Sequence, residues 1–367
     1  MQGQWVGRYT GTNSGLIVVD LEPVGQGYEG HAFVFEGDPE LPSTAAAILL
    51  PSLDSEQSIT VDVQCLWPRG GIMSPGDAAI IYPNVAIPTT ANVRVVFGGS
   101  NLRVDWETSI GTSGSGNLSL SDGAQPSRLA TTLMTWNEFK QMVLALEPRS
   151  RVFRGQSSPA RLRTSFHRTH RKNLVKYINV DIPALRRELS AQTKHFFRID
   201  DSLENGAFWN LLQHHGYPTP LLDWTYSPFV AAYFAFRHFR RSSDVGEFVR
   251  IYLFDSESWK RDFTQFEQVT FSRPHLSVIE TIALENPRAL PQQSLSTVTN
   301  CDDIESYIRL CEAEVQKQYL WAIDLDYGER HAVLRELSLM GITSASLFPG
   351  IDGACEEVKA RYFGYNV

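Results

Sequence analysis

Residues 213–236, QHHGYPTPLLDWTYSPFVAAYFAF, change character within a single run. The first half crowds two histidines, an aspartate, a tryptophan and several hydroxyls into chain punctuated by Gly216, Pro218 and Pro220. Polar side chains gathered in turn-rich chain beside a core element usually line a site, because buried polar groups need partners and loops on a rigid scaffold carry function. The second half, SPFVAAYFAF, places Pro228 where a first helical turn tolerates it and has small or aromatic residues all round, the pattern of a buried helix.

Upstream, RVFRGQ at residues 151–156 is short, β-prone and punctuated by Gly155, which reads as a strand running into a loop. Arg154 sits there between an aromatic residue and a glycine, and a guanidinium in such a half-buried place demands an anion. A structural ion pair with Asp223 is one candidate and a bound ligand is the other. From Arg149 to Lys172 the chain carries seven arginines and a lysine, with His167 and His170 among them and no acidic residue. That segment suits a polyanion or a phosphate-bearing small molecule, or else a solvated face.

Helices and strands alternate around these two segments. Thr135 and Glu138 form a capping-box pattern ahead of the apolar run WNEFKQMVLAL. YINVDIPALRRELSAQTKHFF reads as helical, as does GAFWNLLQHHG with its closing glycine. EFVRIYLFD alternates as a strand, YLWAIDLD reads either as a strand or as a helix-to-loop segment, and AVLRELSLMGI is an amphipathic helix ended by Gly341.

Residues 1 to about 125 have a different texture. LIVVDL, HAFVFEG, ITVDVQCLW, AIIYP, ANVRVVF and NLRVDWE recur between Gly, Pro, Asn and Ser turns, and LSLS near residue 118 suits a last strand. With Trp5, Gly7, Tyr9 and Gly11 at the start, this predicts an antiparallel sandwich or barrel whose aromatic residues form its core. The Gly- and Ser-rich run before Arg128 marks a boundary, giving an all-β domain over residues 1–127 and an α+β domain over 128–367.

The bulk numbers agree with two domains, since 367 residues exceed the ~250–300 at which single cores stop growing. Hydrophobic residues at 43% and charged residues at 20% are those of a globular protein. A net charge of −8 argues against broad nonspecific nucleic-acid binding. No run approaches the ~20 apolar residues that span a bilayer, and the opening MQGQWVGRYTG lacks the features of a signal peptide, so a cytoplasmic protein with no membrane partner is expected. Cys65, Cys301, Cys311 and Cys355 lack the spacing of a metal site or a disulfide framework, and no metal is expected.

The two quoted segments together resemble the FRG domain family, named for its Phe-Arg-Gly motif, in which an FRGQ-like strand is followed by a block of the form QHxGxPTxLLDWTxSPxxAxxFA. Gln213, His214, Gly216, Pro218, Thr219, Leu221, Leu222, Asp223, Trp224, Thr225, Ser227, Pro228, Ala231, Phe234 and Ala235 all fit. NPRALPQQS, ending at Ser294, resembles the family's Arg-containing strand with paired glutamines, and SLFPGIDG its closing motif, so the resemblance runs over about two-thirds of the chain. Pro220 stands where a basic residue is common, and Ser294 where a glycine is.

The order of these motifs is similar to that of ADP-ribosyltransferases, which implies a split β core and NAD as substrate. On that resemblance Arg154, Thr225 and Gln293 take the catalytic stations, and Gln156, His214, Asp223, Trp224, Ser227, Tyr233 and Gln292 line the substrate site. Cleaving the nicotinamide–ribose bond passes through an oxocarbenium-like transition state, so the site must hold a pyrophosphate and orient a ribose. A glutamine cannot supply the negative charge of a catalytic glutamate, which leaves Glu280 or Glu285 as substitutes. The resulting expectation is an NAD-dependent ADP-ribosyltransferase or NAD-cleaving effector in microbial stress or antiphage defence, with a protein or nucleic-acid acceptor. The alternative is a noncatalytic nucleotide- or nucleic-acid-binding module using the basic segment at 149–172.

Overall fold

Alternation along one strand shows how the two halves meet. In SGLIVVDLEPV, Ile17, Val19 and Leu21 join one apolar cluster while Val18 joins another, so both faces of a single antiparallel strand are covered. Strands of an antiparallel sheet usually have one wet face, and two dry faces mean that something packs outside. The computed structural model, which describes residues 1–52, 54–238, 247–266, 268–280 and 282–364, shows what does.

The N-terminal sheet is built from β1 (Gly3–Gly11), β2 (Ser14–Val24), β3 (Gly27–Glu36), β4 (Thr44–Leu50), β5 (Glu56–Asp62), β6 (Gln64–Cys65), α1 (Pro75–Ile81), β7 (Thr90–Gly98), β8 (Asn101–Thr108) and β9 (Ser113–Leu120). Its strand order is β5-β7-β8-β9-β1-β2-β3-β4-β6, antiparallel throughout, and the sheet curls into a nearly closed barrel rather than a sandwich. Trp5, Tyr9, Val95, Leu102, Val104 and Leu118 face its interior. The AIIYP run, read above among the strands, lies in α1 and the turn after it. Ser74 accepts from the Asp77 amide and Pro75 occupies the first turn, and those two local signals outweigh the β-prone isoleucines.

The second sheet takes its strands from the rest of the chain. In order come β10 (Thr131–Met134), α2 (Trp136–Leu144), β11 (Val152–Gln156), α3 (Leu174–Lys176), a π-helical turn (Tyr177–Asp181), α4 (Ile182–Leu189), α5 (Ser202–His214), β12 (Leu221–Thr225), α6 (Pro228–Phe236) and β13 (Phe248–Phe254). There follow α7 (Ser256–Asp262), β14 (Leu276–Ile279), β15 (Ser294–Thr299), α8 (Ile304–Val315), β16 (Leu320–Asp326), α9 (Arg330–Leu339), α10 (Ser344–Leu347) and α11 (Ile351–Phe363). The sheet order is β10-β16-β13-β11-β12-β15-β14. YLWAIDLD is therefore a strand, the capping box at Thr135 forms in full, and the helix read through residue 197 stops at Leu189.

Each face of this sheet carries its own core. Phe153, Ile251 and Leu253 pack with α2, α6 and α9, whereas Val152, Leu222, Trp224 and Tyr252 pack with α7 and α8. β11 and β12 share one register pair, Phe153↔Thr225, although each pairs over five positions with its other neighbour, so the sheet splits between them. Gly155 sits where a Cβ would lie 1.8 Å from the Ala231 carbonyl oxygen, and only glycine lets α6 approach so closely.

The outer face of β2 and β3 meets this second layer. The buried Glu22 carboxylate accepts from the Lys172 amide at 2.6 Å, the Asn173 amide at 2.8 Å and Arg171 Nε at 3.0 Å. Gln4 bridges to the Asn300 carbonyl and the Asp302 amide, both at 2.8 Å, and Phe33 packs edge-on against Phe271. No helix among the described residues is long and apolar enough to cross a membrane.

Candidate functional site

Arg154 lies at the split. As the register partner of Tyr252, it leaves the sheet on the α7/α8 side, and its Nη1 donates to the Asp223 carbonyl at 2.7 Å, a backbone oxygen of the strand beyond its last ladder pair. Of the two alternatives, the ion pair with the Asp223 carboxylate does not form, because that side chain points to the other face. Arg154 Nε lies 3.5 Å from Gln156 Oε1, a weak contact, and among the described residues no carboxylate pairs with the guanidinium. Burial, with Arg168 nearby, pushes its pKa down to about 10, and the charge of Asp223 and the Tyr252 phenol only partly offset this.

The basic segment is otherwise largely neutralised by acids far away in sequence. Arg151 pairs with Asp255, Arg161 with Asp303, Arg163 and Lys172 with Asp302, and Arg171 with Glu22 and Asp181. Arg161 and Lys172 are buried, and Arg149 stacks 4.0 Å from the Tyr226 ring centre. The segment thus presents no continuous basic face. Arg149, Arg154 and the exposed Arg168 remain without a carboxylate among the described residues, and Arg168 borders an open depression of about 400 Å³ with Arg161, Arg163 and residues 123–126. Gln156 holds the loop beside them through Nε2 to the Ala160 carbonyl at 2.6 Å, and the Tyr252 hydroxyl donates to the same oxygen at 2.7 Å.

The residues expected to join Arg154 are spread over other surroundings. Thr225 pairs in register with Phe153, so its side chain faces α6, opposite to Arg154. Its hydroxyl donates to the Gln292 carbonyl at 2.7 Å and accepts from the Ser227 amide at 3.0 Å. Ser227 caps α6 through the Val230 amide, and Gln292 Nε2 donates to the Leu347 carbonyl at 2.9 Å. Gln292 and Gln293 precede β15 instead of lying within a strand, and Gln293 is exposed with φ at 47°. These groups tie the β12–α6 turn to residues 286–294 and α10.

Trp224 is core, its Nε1 donating to Thr297 at 3.1 Å, and Tyr233 is buried on the opposite face with its hydroxyl 2.6 Å from Ser344 Oγ. Glu280 pairs with Lys260, and Glu285 accepts from the His195 amide.

Asp223 and His214 belong to a third grouping between α5 and β12/β15. The Asp223 carboxylate accepts from Gln213 and, at 3.4 Å, from Ser296; Gln213 in turn accepts from Thr219. His214 Nδ1 is 2.6 Å from Asn286 Nδ2, which also reaches Asn210, so His214 bonds to Asn286 and not to Asp223. Burial lowers the His214 pKa, which keeps the imidazole neutral and suits an acceptor of the Asn286 N–H. Asn210, Thr219 and Ser296 are buried, and every member of the network is bonded to another. Gln213 and Thr219 stood in the quoted motif and Asn286 opened NPRALPQQS, whereas Asn210, one turn before Gln213 on α5, and Ser296, from the remote β15, carried no signal of their own.

Comparison with known proteins fits this region. Residues 149–244 match the FRG domain family. The match spans about a quarter of the chain and takes in β11, α5, β12 and α6, so the FRG arginine and Asp223 with Gln213, His214, Thr219 and Asn210 fall within it, whereas Asn286 and Ser296 lie outside. No curated protein matches the chain. Among solved structures, a redesigned beta barrel is 14% identical over 33% of this chain and 91% of its own, with a TM-score of 0.22. The redesigned beta barrel mFAP1 bound to DFHBI is 11% identical over 32% of this chain and 93% of its own, with a TM-score of 0.21.

Proposed function

We propose that the FRG segment binds a phosphate-bearing nucleotide through Arg154 and Arg168, with NAD the first candidate and cleavage of its nicotinamide–ribose bond the activity to test. One observation carries the reading: a half-buried guanidinium with unspent N–H donors, beside a second arginine and without a carboxylate partner among the described residues. Two like charges held together in partly desolvated surroundings repel, and an anion between them relieves the repulsion while taking up the planar donor fork. A pyrophosphate meets that need better than a carboxylate because it offers several acceptors to two forks. Thr225, Ser227 and Gln292 act here as positioning residues that fix the turn after β12, and the ribose and base would be held by groups around the split between β11 and β12.

The test is titration calorimetry of the full-length protein with NAD, ADP-ribose and ATP, together with nicotinamide release followed over time. Arg168→Ala, an exposed change that should leave the fold intact, is expected to weaken binding by about 10-fold or more, as loss of charge-assisted hydrogen bonds does. Arg154→Lys should weaken it further with the charge retained, because an ammonium lacks the fork. Absence of binding to all three nucleotides, or binding indifferent to both variants, overturns the proposal.

A further inference from the structure

The barrel interior is only half filled. Trp5, Phe97 and Leu118 close one end, whereas the other holds a cavity of about 490 Å³ walled by inward side chains including Val19, Val34, Ile48, Val61, Val93 and Val104. Protein interiors normally pack without voids much larger than a water molecule, and a cavity of this size falls in the range of small-molecule pockets. Asn13, Asn84 and Thr112 rim its mouth.

One polar feature breaks the apolar wall. Tyr9 is 3% exposed and lines the cavity, yet its hydroxyl makes no well-formed hydrogen bond; the same holds for Oε2 of Glu36 beside it. Two buried oxygens left so require an explanation, since nearly all such atoms find partners. The two groups are nonetheless close: burial chiefly, then a side-chain hydrogen-bonding contact with Glu36 and the charge of that group, raise the Tyr9 pKa. Arg273 does not neutralise the pair directly, because it donates to the Glu36 backbone carbonyl from outside the barrel.

We infer that the barrel is a binding site for a small, mostly apolar molecule whose single polar end donates a hydrogen bond to the Tyr9 and Glu36 oxygens. An alcohol, a phenol or a secondary amine has that chemistry. A fatty carboxylate does not, since its charge would face the Glu36 carboxylate across an apolar chamber.

The experiment uses the full-length protein and N-phenyl-1-naphthylamine, a neutral fluorescent probe with one N–H donor. Saturable binding is expected, with decan-1-ol displacing the probe at a concentration about 10-fold or more below that needed for decanoate. Ala46→Phe, which narrows the chamber, should weaken binding about 10-fold or more while a cooperative thermal transition remains. Tyr9→Phe, which removes one oxygen and no packing, should retain the probe and narrow the preference for alcohol over carboxylate, and it decides the matter should Ala46→Phe not fold. No saturable binding, or an affinity unchanged by Ala46→Phe, overturns the site. Equal displacement by alcohol and carboxylate overturns the assignment of its polar end.

Discussion

The barrel and the surroundings of β12 treat interior space in opposite ways. Inside the barrel, apolar side chains line an opening and two oxygens stand without well-formed bonds. Around β12, by contrast, each of a run of buried polar groups is bonded to its neighbour, and α6 approaches β11 until no Cβ fits at Gly155. Added volume should therefore be tolerated in the first region and rejected in the second, and lost polar groups should be costly in the second and cheap in the first.

Gly155→Ala tests the contrast most severely. Its Cβ would lie 1.8 Å from the Ala231 carbonyl, so α6 must shift, and a loss of about 3 kcal/mol or more in urea unfolding is expected. A near-neutral result would mean that the approach of α6 to β11 is looser than described. Glu22→Gln comes next. It weakens three hydrogen bonds to a buried carboxylate where barrel and second layer meet, and about 1.5–3 kcal/mol should be lost in the same measurement.

Acid should separate the regions further. His275 and His167 are both buried in the second layer, and burial pushes each pKa down to about 4. Because these folded values lie below the unfolded one, their contribution is present above about pH 6.5 and is lost as pH falls towards 4, by about 1.4 kcal/mol per unit for each imidazole. Asp20, on the barrel, has the opposite sign: burial raises it to about 7, so its contribution is full below the unfolded value and is lost as pH rises through 7. His275→Gln should flatten the acid limb of a stability–pH curve by one imidazole's share, and an unchanged slope would show that His275 is already protonated in the fold. Smallest of all is Tyr9→Phe without ligand, expected within about 0.5 kcal/mol of wild type by thermal unfolding, because it removes a hydroxyl that has no well-formed bond.

Much of the fold was readable where a local rule acts alone. The capping box at Thr135, the Pro-led buried helix after Ser227 and the alternating strands of the first 120 residues each follow from a few neighbouring side chains. AIIYP misled because β-propensity and a Ser-Pro cap competed, and the cap prevailed. The site was harder. FRGQ marked Arg154, yet whether Thr225 shares its face depends on the register Phe153↔Thr225, which no window of sequence contains. The basic run looked uncompensated because Asp302, Asp303 and Glu22 arrive from elsewhere in the chain. The barrel cavity was equally hidden, since an alternating strand reads the same whether its inward face meets a side chain or a void.

Residues 157–173 form a long connection with no strand or helix beyond an isolated bridge, a length at which chain is usually free to sample many conformations. Here it is fastened along its course: at Leu162 to Glu305, at Phe166 to Thr219, and at Lys172 and Asn173 to Glu22 of the barrel. The entropy of ordering this loop is therefore lost during folding, so the nucleotide proposed to bind between Arg154 and Arg168 would meet a preorganised receptor. In this way a strand of the barrel wall fastens one end of the loop that carries Arg168.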